Sequence, residues 1–443
     1  MLPSDPNYDE VRKVWNGMID KHPWVIARCA DESDVIKAVN FARENSMPVS
    51  VRGSGHNVGG NAVCDNGLVI DLSLMKSIRM NPSRSTVRAE SGVTWGELDC
   101  ETQKYGLAVT GGIVSTTGIS GLTLGGGIGW LVRKYGLTLD NLVSADVVTS
   151  DGRQLRASDT ENPDLFWGIR GGGGNFGVVT SFDYALHPVG PTVLGGMVVY
   201  PLTTAKEVLA FYRDFMVGAP DELTAFIVLK RAPSVSFLPK QVHDTPAIIV
   251  MLCYSGSLEE AERIVRPIRD FGRPLGGNLG PMKYTLLQSL TDAGNLPGFQ
   301  NYWKSEYLRE LDEEAIGIIA DHSAEMTSPL TYVGLAYLRG AVNHVGADET
   351  AYAHREAPFF FHIVSKWSDP AEAHKHIEWS NNFWRDICPF STGGVYVNFL
   401  GNEGQNRVKA AYGKNLVRLT KIKSKYDPAN FFRLNQNIEP AAR

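Results

Sequence analysis

Little in this chain points to a membrane, a nucleic acid or a bound metal. No stretch of about 18 apolar residues occurs, the least a helix needs to cross a bilayer. The opening MLPSDPNYDEVRKVW lacks an apolar run of signal-peptide length. Acidic side chains outnumber basic ones, 48 to 43, so neither nucleic acid nor an anionic membrane is expected as the main partner. Cysteine is scarce. Cys29, Cys64, Cys100, Cys253 and Cys388 are odd in number and contain no CxxC pair. That spacing supports neither a disulfide framework nor zinc, and the thiols read as reduced residues of a cytoplasmic protein. No GK[ST] sequence closes a Walker loop, and there are no internal repeats and no low-complexity segment.

Glycine is abundant, 45 of 443 residues, and gathers in three clusters. Clustered glycine brings backbone close to something rather than loosening the chain at large. The length predicts two or three domains. WVIARCADESDVIKAVNFARENSMPVSVRG reads as strand, helix, strand. Asp31 is the N-cap, Val35, Ile36, Val39 and Ala42 recur at helical spacing, and Asn45 and Pro48 end the helix. GLVIDLS and STVRAESG are short strands, TWGELDCETQKYG is a helix stopping at Gly106, and NLVSADVVTSDGRQLRAS is a hairpin turning at Asp151–Gly152. After LHPVGP the composition changes. AIIVMLCY, LTYVGLAYL and PFFFHIVSKW alternate with helical stretches, one of them through Trp379 and Trp384. This predicts a second α+β domain with one sheet covered by helices. The final forty residues read as one long basic amphipathic helix, a turn and a polar tail.

Each glycine cluster has two readings. In WGIRGGGGNFGVVTSFDYAL, Gly172, Gly174 and Gly177 fit GxGxxG. A dinucleotide fingerprint must open a helix and meet an acid about 20 residues on. Here an alternating β-branched strand follows, and Met197 stands where the acid should be, so a nicotinamide-type fold is not expected. The cluster from Gly112 to Gly129 has no basic residue before Arg133. Either it holds an extended anionic ligand through main-chain amides and hydroxyls, or it packs against other backbone. The first cluster in chain order, VRGSGHNVGG, carries His56, which could be a base, a metal ligand, a covalent anchor or a plain loop residue. No second ligand lies at metal spacing near it.

Together, SVRGSGHNVGG, GISGLTLGGGIGWLVRKYGLTLDNL, DLFWGIRGGGGNFGVVTSF and YDPANFFRLNQNI resemble the berberine-bridge-enzyme-like branch of the vanillyl-alcohol-oxidase, or PCMH-type, flavoproteins. The resemblance spans nearly the whole chain and implies an α+β fold. Residues 1–190 would form a PCMH-type FAD-binding domain of two α/β subdomains. Residues 191–402 would form a substrate domain with an antiparallel sheet covered by helices, and 403–443 a segment returning to the FAD domain. In this family the histidine of the RGSGHN loop bonds to the 8α-methyl carbon of FAD, a role that falls to His56. Arg52, Gly53, Ser54, Gly55 and Asn57 would cradle the pyrophosphate through their N–H groups. Many relatives attach the flavin a second time through the cysteine of CPTVG. This chain reads VSTTG, with Val114 at that position, so a single covalent link is implied. Thr117 occupies the position that governs oxygen access, and its Val-like volume implies an oxidase. Gly118, Ser120, Gly121, Gly126, Gly129, Asn141, Gly177 and Val179 match flavin-lining positions, and Asn435 and Asn437 match the returning tail.

For the substrate, the resemblance implies hydride transfer from an alcohol or amine carbon of a small metabolite, aromatic and heterocyclic ones included, with O2 as oxidant and H2O2 as product. A sugar or alcohol dehydrogenase with another acceptor, or an oxidative cyclase, are the alternatives. The chain would act as a monomer or homodimer. The Y-x-N motif of plant relatives matches GGVYVNFL and nominates Tyr396 as base or orienter, with Asn398 and Phe399 beside it. To serve as a base at neutral pH, a phenol needs a cationic neighbour or a proton transfer coupled directly to hydride transfer. Phe359 and Phe361 should face one side of a strand, Phe360 and His362 the other. Trp303, Lys304 and Tyr307 are candidate rim residues.

Overall fold

The computed structural model describes residues 1–441. Its first sheet is small and parallel. β1 (Val25–Arg28) and β2 (Val49–Arg52) flank β3 (Leu68–Asp71), and α1 (Glu32–Glu44) crosses between β1 and β2. Asp31 starts α1 by accepting the Asp34 N–H at 2.9 Å. Val35, Ala38, Val39 and Ala42 are the buried face of that helix, one stripe at helical spacing.

The second sheet has five antiparallel strands. They are β4 (Ile78–Asn81), β5 (Thr86–Glu90), β6 (Leu142–Val148), β7 (Gln154–Ser158) and β8 (Val178–Ala185), in the order β4-β5-β8-β6-β7. β6 and β7 form the hairpin expected at Asp151–Gly152, where Gly152 has φ +80°. Between β5 and β6 lie α2 (Trp95–Thr102) and α3 (Ile119–Gly125). Past a single 3-10 turn (Gly173–Asn175), β8 follows the third glycine cluster, so its GxGxxG opens a strand and not an α-helix.

The third sheet is the largest, with eight antiparallel strands. Its long strands are β9 (Thr192–Pro201), β10 (Leu223–Arg231), β11 (Pro246–Tyr254), β12 (Gln300–Leu308), β13 (Tyr332–Tyr337) and β14 (Phe359–Trp367), in the order β9-β11-β10-β13-β14-β12. Odd-numbered residues of β10, β13 and β14, such as Ile227, Leu335 and Phe361, face a layer of helices. Those helices are α4 (Ala205–Gly218), α5 (Leu258–Asp270), α6 (Glu313–Ala324) and α7 (Ala373–Ile387). Even-numbered residues face the opposite way. Phe226, Ala336 and Phe360 pack with Trp130, Leu131 and Leu139 from the second glycine region, and with Tyr396. One face of the sheet is thus a helix-covered core, and the other meets the glycine-rich half of the chain.

The basic C-terminal segment is two helices, not one. α8 (Gln405–Tyr412) and α9 (Leu416–Tyr426) are separated at Gly413, whose φ of +48° breaks the ladder. The fully buried Lys423 then fastens the tail. Its ammonium donates to Asp427 at 2.7 Å and to the Asn175 and Phe432 carbonyls at 2.8 and 2.9 Å. The terminal segment is thereby tied to the third glycine cluster.

Candidate active site

His56 lies on the loop that leaves β2. Arg52 anchors the start of that loop. Its guanidinium binds both carboxylate oxygens of Asp71 on β3, at 3.2 and 2.8 Å, and also reaches the Val11 carbonyl. The Arg52 side chain is therefore spent within the protein, and only its main chain can serve the loop. Ser54 Oγ accepts the Gly118 N–H at 2.6 Å. A Cβ on Gly53 would come within 2.5 Å of Ser120 Oγ. The first and second glycine clusters are thus interlocked, and Gly55, at φ +78°, makes the turn between them possible. Asn57 closes the far side of the loop by accepting the Asn61 N–H at 3.0 Å.

At the tip, His56 is half-buried and stacked on Trp15, with ring centroids 5.4 Å apart at 19°. Thr116 Oγ1 is 3.2 Å from its Nε2, and Thr117 Oγ1 is 3.4 Å from its Nδ1. Burial pulls the imidazole down to about 4, with Asp292 opposing weakly. The ring is therefore neutral at pH 7, the form in which a nitrogen lone pair is free. Val114 is partly exposed and caps the same turn, its carbonyl accepting the Thr117 N–H at 3.2 Å.

The glycines of the second and third clusters divide into two kinds. A Cβ on Gly129 would sit 1.7 Å from the Gly111 carbonyl oxygen, and one on Gly177 would sit 2.7 Å from that of Val148. These positions, expected to line flavin, pack protein on protein. Asn141 is engaged likewise: its amide donates to Tyr135 and Leu137 carbonyls, both at 2.9 Å, and its oxygen meets His187. Val179 is buried in β8, where its carbonyl accepts the Ser91 hydroxyl. Gly126, at φ +147°, lies against the Tyr396 ring. Gly121 and Gly174 are the other kind. Nothing lies within 4 Å of a Cβ on either, and Gly121 is exposed in an otherwise mostly buried stretch. Beside Gly174, Asn435 donates to the Gly174 carbonyl at 3.2 Å. The side-chain oxygens of Asn435 and Asn437 are buried without any partner among the described residues. Open space at bare backbone, orphaned acceptors and a neutral imidazole fit a large cofactor that offers both a phosphate bridge and hydrogen-bond donors.

The facing wall comes from the large sheet. β14 is buried at every position except His362. That ring lies over Gly334, where a Cβ would come 2.2 Å from Nε2, and its Nδ1 has no partner. Burial pushes His362 down to about 3, so it too is neutral. Phe360 and Phe399 flank it at 5.1 and 5.2 Å. Trp303 closes the gap to the other wall, edge-on to Trp15 at 5.7 Å and to Phe399 at 4.7 Å. An aromatic path therefore runs from His56 to His362.

Tyr396 is buried in the floor, and its oxygen accepts the Gly127 N–H at 2.8 Å and the Asn398 amide at 2.9 Å. Burial raises its phenol to about 12, and no cation among the described residues acts on it. At neutral pH the group stays protonated and holds the turn at Gly126 and Gly127. Tyr307 is fully buried against the Tyr352 hydroxyl. Lys304 points to the other face of β12, paired with Glu403 in a buried bridge, and is not a rim residue. Trp15 and Asp292 escaped the sequence reading. Neither sits in a motif, and both reach His56 only through tertiary packing.

Comparison with known proteins agrees with this geometry. Residues 23–158 match the FAD binding domain family, and residues 395–439 match the berberine and berberine-like family. An FAD-linked oxidoreductase of Dictyostelium discoideum is 34% identical over 441 residues, covering 99% of this chain and 93% of the relative. (R)-6-Hydroxynicotine oxidase of Paenarthrobacter nicotinovorans is 32% identical over 450 residues, covering 99% and 96%. The crystal structure of 6-hydroxy-D-nicotine oxidase from Arthrobacter nicotinovorans superposes with a TM-score of 0.89 at 28% identity, covering 100% of this chain and 97% of that one. The chain belongs to the FAD-linked oxidoreductases of the berberine-bridge-enzyme-like family, with an α+β fold of the PCMH type.

Proposed function

We propose that this protein is an oxidase carrying FAD on a single covalent bond to His56. Its substrate would be a small, flat alcohol or amine, oxidised at the carbon bearing O–H or N–H, with O2 reduced to H2O2. Bound FAD would supply the two-electron chemistry that this oxidation needs. Residues 1–190 would hold the cofactor, 191–402 the substrate, and 403–443 would close the cofactor site. The observation that carries the reading is His56 itself. It is a neutral imidazole fixed between two threonine hydroxyls and Trp15, at the junction of the interlocked glycine loops and the aromatic wall.

The main-chain N–H groups of Gly53, Ser54, Gly55 and Asn57 would hold the pyrophosphate, Ser120 and Gly121 would line the flavin, and Asn435 and Asn437 would seat the tail against the cofactor. Thr117 would leave a path for O2. His362 would accept a hydrogen bond from the substrate O–H or N–H, and Tyr396 with Asn398 would position the floor. A relative named for 6-hydroxynicotine supports a flat heterocyclic substrate, as does the Trp303–Phe399–His362 wall.

The test begins with colour. Protein precipitated by acid should retain its yellow pigment, and His56→Ala should release it to the supernatant. Air should then reoxidise the dithionite-reduced holoenzyme rapidly. Slow reoxidation would instead indicate a dehydrogenase. A screen of alcohols, amines and sugars for peroxide release identifies the substrate.

A further inference from the structure

Six lysines and arginines are buried among the described residues. Arg52, Arg133, Lys304, Arg355 and Lys423 each reach an aspartate or glutamate. Lys366 does not. Its ammonium donates to the Gly294 carbonyl, which uses one of three N–H donors. The charged group felt by Lys366 is another cation, Lys230. Lys230 Nζ lies 3.8 Å from the Cβ position of Gly294, so both ammonium groups converge on one glycine. Lys230 also has no carboxylate acting on it.

Register places this pair on the substrate wall. Lys366 shares the even-numbered face of β14 with His362. Tyr332 lies on the same face of β13, opposite Val364 and directly after the Val333–Leu229 pair that leads to Lys230. The Lys366 ammonium is 5.7 Å from the Tyr332 ring centre. Tyr332, His362 and Trp303 are half-exposed within strands that are otherwise largely buried, which marks an opening in the sheet face. Two unpaired cations in such a place are costly without a partner anion. Burial lowers both, Lys366 to about 8.

We propose that Lys230 and Lys366 form an anion subsite and that the substrate is a flat ring bearing a carboxylate. The carboxylate sits between the two ammonium groups, and the ring lies along Tyr332, His362 and Trp303. This rests on the reading of the cavity as the substrate site.

The probes are benzoate and its neutral isostere benzamide, titrated into the flavin-loaded protein and followed by calorimetry and tryptophan fluorescence. Benzoate should bind at least about tenfold more tightly than benzamide. Lys366→Met and Lys230→Met should each remove most of that preference and leave benzamide binding unchanged. Equal affinity for the two probes, or a preference that survives both substitutions, overturns the proposal. If Lys366→Met does not fold, Lys230→Met decides alone, since that side chain is only half-buried. The readout needs no turnover. A benzoate preference in a protein that releases no peroxide would sink the oxidase reading and leave the anion subsite standing.

Discussion

The two walls of the site are built by opposite means. The wall around His56, proposed to hold the flavin, is made of backbone. Ser54 accepts the Gly118 N–H, Gly53 leaves room for Ser120, and His56 is the one reactive side chain presented. The sheet wall is made of side chains. Trp303, Tyr332, His362 and Lys366 come from three strands and meet only because antiparallel pairing sets their register. A backbone wall suits a cofactor that is always the same, whereas a side-chain wall can change one residue at a time and so suits a substrate that varies.

The sharpest way to break this contrast is at two glycines. Gly129→Ala drives a methyl group into the Gly111 carbonyl at 1.7 Å. Overpacking costs about 1–3 kcal/mol even where side chains can yield, and backbone yields less. A large fall in melting temperature or failure to accumulate is expected. Gly121→Ala meets nothing within 4 Å, so the fold should melt unchanged. If the open space is the cofactor's, flavin content should drop in that variant. Unchanged flavin content in Gly121→Ala would mean the space belongs to something else.

The same contrast decides what could be read from the sequence. The loops around His56 are contiguous because one turn of backbone must fold around one ligand, so their residues stand together in VRGSGHNVGG and VSTTGISG. GxGxxG at Gly172 was open to rejection for the same reason, since the β-branched residues after it demand a strand. The sheet wall has no such signature. Phe359 and Phe361 differ from Phe360 and His362 by a single step of alternation, and a one-residue slip exchanges the two faces. Lys304 is one residue from Trp303 and faces the opposite side. The break at Gly413 was hidden because the apolar stripe continues across it, and only the left-handed backbone there separates α8 from α9.

On the sheet wall, His362→Ala removes a hydrogen-bond acceptor but not the cavity. A loss of roughly 10²-fold in kcat is expected, the usual worth of a positioned proton acceptor. Binding of a neutral ring should change little. Were KM to rise with kcat intact, His362 would be a binding residue only. A smaller effect belongs to Thr117, which stands between the walls. Thr117→Leu should slow reoxidation by oxygen roughly tenfold, equivalent to about 1.4 kcal/mol of barrier, and leave reduction by substrate alone. Reoxidation at the parent rate would show that oxygen arrives by another route.

The least effect tests whether the walls are independent. Asp292 lies in the segment leading into β12, yet it binds the Ser115 N–H at 2.8 Å and opposes the fall in His56 basicity. In the proposed attachment of flavin, the neutral imidazole would be the nucleophile. An ordinary histidine loses that form as pH drops through about 6.5. His56 loses it only near 4, because burial disfavours the charged form. FAD added to apoprotein should therefore become acid-stable at a constant rate from pH 8 down to about 5, then ever more slowly through 4. Asp292→Asn deletes the one charge that favours the imidazolium. The acid edge should move to lower pH by less than about one unit, in the direction opposite to that of a variant that merely loosens the loop, since added water would restore the basicity of His56 and move the edge upward. A shift toward 6.5 would mean that Asp292 acts on packing, and that the backbone wall depends on the sheet half of the chain for its shape as well as its charge.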